Sequence, residues 1–158
     1  MSWVVPAIVA GALAAAINAG AFFVFSNFVM PALADLPPAE GAAAMQSINR
    51  FAPNPMFMLA LFGAPLIGVP VLVADWGERS GAEFRWVAIA AFTSMLTVVV
   101  TAACNVPRND ALAVLDAASP STASYWSDYV TTWTRWNTVR TVTSVVSVGA
   151  WALALRGR

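Results

Sequence analysis

Histidine and lysine are both absent from this chain, and Cys104 is its only cysteine. Without imidazole the chain lacks the commonest metal ligand and the commonest base at neutral pH. A single thiol excludes an intramolecular disulfide and any thiolate-rich zinc or iron–sulfur centre. Charge is also scarce: charged residues make up 10% of the 158 residues, against about a quarter in a soluble domain. The eight arginines and eight carboxylates cancel, so the net charge makes no electrostatic case for nucleic acid.

What fills the chain instead is apolar. The hydrophobic fraction is 59% and the mean hydropathy +0.71. No ionisable side chain occurs from Ser2 to Ala34, and further uncharged runs cover Phe51 to Ala74, Trp86 to Val106 and Thr141 to Leu155. A bilayer core of ~30 Å takes roughly 20 residues of helix; three runs reach that length, and the helix preceding the fourth extends it. The pattern predicts an all-α integral membrane four-helix bundle, a single unit over 1–158 with spans near 3–30, 55–74, 84–104 and 137–156. Short extra helices are expected in the first and third loops. The first segment has no basic start, and its apolar run continues to Leu33, so it is expected to be a span and not a cleaved signal. The spans carry no carboxylate near their centres, which argues against a proton relay.

Local signals place the elements. Gly11, Ala15, Asn18 and Phe22 share a helix face, where small residues admit a neighbouring backbone and Asn18 can bond across it. Pro31, Pro37 and Pro38 mark the exit from the first span, and Pro65 and Pro70 predict a kink in the second. Ser119-Pro120 should start one long last helix. Along it Trp133, Trp136, Asn137 and Arg140 form a stripe that Ser144, Ser147 and Trp151 continue. Cys104 reads as a buried small apolar side chain. Arg79, Arg85, Arg156 and Arg158 fall on the side of the termini, and Arg50, Arg108, Arg135 and Arg140 on the other. The counts tie, but the terminal-side arginines sit in short tails and turns. That points to cytoplasmic termini in a bacterial plasma membrane.

Four spans bring several polar groups to one end: Gln46, Asn49 and Arg50; Asn105, Arg108 and Asn109; Trp136, Asn137 and Arg140; and Ser26 with Asn27. Amides and guanidinium groups inside a bundle are costly unless satisfied. Their convergence predicts a hydrogen-bond network or a polar mouth to a pocket. Two other roles stay open for individual members, helix capping for the asparagines and interfacial anchoring for Trp133 and Trp136.

The chain resembles the anthrone-oxygenase-like family of small four-span membrane proteins. The resemblance rests on Ala19-Gly20-Ala21-Phe22-Phe23, Phe25-Ser26-Asn27-Phe28-Val29-Met30-Pro31-Ala32-Leu33 and Met45-Gln46-Ser47-Ile48-Asn49. It continues through Cys104-Asn105-Val106-Pro107-Arg108-Asn109-Asp110-Ala111-Leu112 and Trp133-Thr134-Arg135-Trp136-Asn137-Thr138-Val139-Arg140-Thr141. It implies O₂-dependent oxidation of an anthrone to an anthraquinone, with no metal and no other cofactor. In that chemistry Arg140, Asn105, Asn109 and Asn137 are the candidate catalytic residues. Asn49, Gln46, Arg50, Arg108, Trp133, Trp136, Ser26 and Asn27 are the candidate substrate-binding residues. The family commonly has histidine after the Trp-Asn pair, where this chain has Thr138. Arginine stays protonated and is a poor base, so proton removal would fall to water, Asp110 or spontaneous enolisation. The expected partners are a lipophilic small molecule and membrane lipids, with a homo-oligomer left open. A non-catalytic binder of a lipid or quinone-like molecule, or an accessory membrane subunit, is the alternative.

Overall fold

The structure, a computed structural model, describes residues 2–156. Arg158, counted above on the terminal side, lies outside the described residues. Among these the regular structure is helical, with no strand. We number five helices: α1 Val4–Asp35, α2 Pro38–Phe51, α3 Pro55–Ala74, α4 Ala82–Ala113 and α5 Pro120–Leu155. All but α2 are long and apolar enough to cross a membrane. At 1.5 Å per residue the 36 residues of α5 extend about 54 Å, well beyond a bilayer core. Its amino-terminal part therefore has length to spare for a cap above the hydrocarbon.

Helix α1 packs on α3 and α5, and α4 packs on the same two, so the spans close into a ring with α1 and α4 diagonal. Large side chains such as Leu13, Ile17, Leu59, Leu66, Phe92 and Val142 stay exposed around its outside. In water such a belt would be a liability; against lipid tails it is the expected surface. Helix α2 lies over one end, against α5 and the ends of α1 and α4. The starts of α3 and α5 follow ordinary capping chemistry. Asn54 Oδ1 accepts from Phe57 N at 3.0 Å and Ser119 Oγ from Ser121 N at 3.3 Å, with Pro55 and Pro120 as first helical residues.

Two helices run further than the sequence suggests. α1 does not stop at Met30 but passes through Pro31 to Asp35, and the third span passes through Pro107 to Ala113. The expected separate helix of the third loop is this extension. In both cases a π turn precedes the proline, Phe25–Val29 and Thr101–Asn105, with Met30 N–H donating to Phe25 O and Val106 N–H to Thr101 O. Proline lacks a donor and crowds the carbonyl one turn back. The wider turn makes room for that ring, so the helix continues. α3 likewise stays helical through Pro65 and Pro70. Cys104, in the second π turn, is only half-buried.

The interior has two apolar clusters with a polar layer between them. The lower one packs Ile8, Ala15, Val71, Val87 and Trp151; the upper one packs Met30, Met45, Leu112, Trp126, Tyr129 and Trp133. Gly11 is needed where Trp151 crosses α1, because a Cβ there would lie 2.9 Å from the indole carbons. Its predicted neighbours on that face, Ala15, Asn18 and Phe22, are all buried, and Asn18 Nδ2 donates to Ala60 O across the α1–α3 seam at 2.8 Å. In the middle layer Ser94 and Ser147 hydroxyls meet at 2.6 Å, Thr97 and Thr143 at 2.7 Å, and Ser147 also donates to Ala90 O. Interhelical bonds of this kind average about 0.6 kcal/mol in membranes and reach about 1.7. Ser147→Ala should therefore lower unfolding free energy by about 1 kcal/mol in a detergent titration. A loss above about 3 kcal/mol would mean that these hydroxyls, and not packing, hold α4 to α5.

Candidate functional site

Between the polar layer and the upper cluster lies a cavity of about 500 Å³, within the usual range for small-molecule sites. Its walls are mostly apolar: Phe22 and Phe25 from α1, Met45 and Ile48 from α2, Phe57, Met58 and Leu61 from α3, and Trp133 from α5. The α2–α3 connection, Ala52, Pro53 and Asn54, borders it where Phe51 and Asn54 are exposed, so this edge is its mouth. Five polar residues of interest lie in the wall: Asn49, Asn105, Asn109, Asn137 and Arg140. No histidine, cysteine or carboxylate is among the lining residues, so the wall offers a metal only neutral oxygens, amides and the thioethers of Met45 and Met58.

Arg140 is the most unusual of these. It is 5% exposed, and its Nη2 donates to Asn137 Oδ1 at 2.7 Å. Its guanidinium carbon sits 4.3 Å from the Phe22 ring centroid and 5.1 Å from that of Trp133. The ring faces offset part of the desolvation of the cation. Its Nε has no partner among the described residues. Asn137 is fully occupied in holding it, since its Nδ2 also donates to Phe22 O at 2.6 Å and Ser26 Oγ at 2.7 Å. Asn105 Nδ2 donates to Trp133 O at 3.2 Å, while its buried Oδ1 has no partner.

Of the residues proposed from sequence, Arg140, Asn105, Asn109, Asn137, Asn49 and Trp133 meet in this wall. The other six do not line it. Gln46 ties α2 to the end of α4, its Nε2 donating to Leu112 O at 2.9 Å and Leu115 O at 2.8 Å. Arg50 and Asn27 are exposed, and Arg108 donates to Cys104 O in its own helix. Ser26 reaches the site only through Asn137 and also meets Thr138 at 3.1 Å. Trp136 is 38% exposed, because the buried stripe is the narrower 133–137–140–144 and residue 136 lies about 100° from 137 around the helix. Thr138 is exposed and Asp110 likewise, and neither lines the cavity. Sequence reasoning did not single out Phe22, Phe25 or Phe57 as walls, nor Tyr129, which is 1% exposed behind Asn49 and Asn109. Tyr129 could have been found: it is four residues before Trp133 and so on its face.

Fold and cavity together define an integral membrane four-helix protein with a mostly apolar pocket at one end of the bundle, carrying a few amides and one guanidinium in its wall. The chain matches the anthrone oxygenase family over residues 2–150 and belongs to that family. No curated protein and no solved structure matches it.

Proposed function

We propose that the protein is a membrane-embedded, cofactor-independent oxygenase that converts a lipophilic anthrone-type aromatic with O₂. The observation that carries this reading is Arg140, a buried guanidinium in an aromatic-walled cavity with no carboxylate in the wall. A cation kept in such a place is costly unless an anion arrives to meet it. An anthrone supplies one on enolisation, when its ring-bound oxygen becomes a phenolate-like anion. Arg140 stabilises that oxyanion, Trp133, Phe22 and Phe25 accept the planar rings, and Asn137 holds the guanidinium in position.

The electrons balance without a bound cofactor. The enolate passes one electron to O₂, and the carbon radical and superoxide combine to form a C–O bond. The resulting peroxide anion takes up a proton from water. Loss of the remaining proton on that carbon then cleaves the O–O bond and expels hydroxide, which a second proton from water neutralises. One oxygen atom stays as the new ketone and the other leaves as water. The wall contains no side chain with basic character, so both protons pass to water at the Pro53–Asn54 mouth. Thr138, where the resemblance places histidine, faces the outside of the bundle and takes no part. The termini are assigned to the cytoplasmic side of a bacterial plasma membrane, on the arginines of the terminal side.

The test is oxygen uptake and anthraquinone absorbance when purified protein in detergent is mixed with emodin anthrone. Conversion should be faster than in protein-free detergent and should stop without O₂. Equal rates with and without protein would refute the assignment.

A further inference from the structure

The hydrogen bonds behind the cavity wall have a direction that the donor chemistry fixes. Trp133 Nε1 lies 2.7 Å from an amide atom of Asn109, and an indole nitrogen can only donate. That amide atom is therefore Oδ1. Tyr129 Oη lies 2.9 Å from the same oxygen, so the phenol must spend its one hydrogen there. Tyr129 Oη is then left as an acceptor, and it takes Asn49 Nδ2 at 3.3 Å. Both lone pairs of Asn109 Oδ1 are filled, which turns its Nδ2 away from the network. The Asn49 amide is turned the other way, with Oδ1 free of the tyrosine. Asn49 and Asn109 both line the cavity.

We infer that Tyr129 is a positioning residue that sets the polarity of the site, so that Asn109 offers a donor and Asn49 an acceptor to the bound ligand. The ligand it selects is a planar aromatic with a carbonyl or oxyanion for Asn109 and Arg140 and a hydroxyl for Asn49. The aromatic character of the ligand rests on the function proposed above; the polarity does not. Tyr129 itself is not exposed to the cavity and touches no substrate. Its ring is stacked between Trp126 and Trp133, at 5.5 and 6.3 Å between centroids, so removing only its hydroxyl keeps the packing.

The experiment measures tryptophan-fluorescence quenching of the full chain in detergent by two probes. One is a dihydroxyanthraquinone with hydroxyls flanking one carbonyl, the other the parent anthraquinone without hydroxyls. The wild type should prefer the hydroxylated probe by about tenfold, one well-placed polar pair being worth that much. Tyr129→Phe should cut the preference to about twofold while the affinity for the parent changes by less than about twofold. Asn109→Asp keeps an acceptor for Tyr129 and Trp133 but replaces the inward donor. Because both probes present a carbonyl, it should weaken both by about tenfold or more and leave the preference between them nearly unchanged. If Tyr129→Phe weakens both probes equally, the tyrosine is merely structural and the inference fails. It fails too if the preference survives that change or is missing from the wild type. A wild type that shows the preference yet turns over no anthrone overturns the oxygenase and leaves the polarity standing.

Discussion

Replacing Arg140 by methionine should lower anthrone oxidation by about 10²–10³-fold, the range seen when a preorganised oxyanion donor is removed. The loss should fall mainly on kcat, because the charge on the substrate oxygen is fully developed only after enolisation. Stability should move the other way or not at all. A buried cation without a carboxylate costs several kcal/mol of desolvation, and a methionine of similar length packs against Phe22 and Trp133 without that cost. The opposite signs make the result diagnostic. A variant that melts early and loses activity in proportion would make Arg140 a structural strut. A variant with normal turnover would remove it from the chemistry.

The second large effect concerns the bundle and not the site. Gly68 in α3 faces Ala91 in α4 so closely that a Cβ on it would lie 2.5 Å from Ala91 Cβ and 3.2 Å from Ala91 Cα. Neither atom can rotate aside. Alanine at 68 would gain about 1 kcal/mol of helix propensity over glycine. Even so the collision should prevail, since overpacking costs about 1–3 kcal/mol or more. Gly68→Leu should force the two helices apart and lower the melting midpoint by on the order of 10 °C in differential scanning fluorimetry. An unchanged midpoint would mean that the α3–α4 seam is far looser than its geometry indicates.

The membrane architecture was legible because hydropathy is a summed property of many residues: four uncharged runs leave little choice. The Asn18 bond and the Ser119 cap were legible because each depends on spacing or on one local residue. Pro31 and Pro107 were misread as lying beyond the ends of their helices. Their effect depends on the turn before them, and nothing in Phe25–Val29 or Thr101–Asn105 announces a fifth residue in the turn. For the site, sequence could bring Arg140, Asn105, Asn109, Asn137, Asn49 and Trp133 to one end. It could not say that Trp136 turns outward, because one residue's step around a helix decides between lipid and interior. Nor could it order the amides: which end of Asn109 faces inward depends on Tyr129 and Trp133 together.

The paired π turns at Phe25–Val29 and Thr101–Asn105 lie in diagonal helices, just where the amide-bearing end begins. Each amounts to one inserted residue, which swings everything beyond it by about 100°. The bundle thus has two independently phased storeys joined by wide steps. Residues in the lipid-buried storey can drift among small apolar types with no change in where the upper asparagines aim, and the upper storey can be re-aimed by shortening a step.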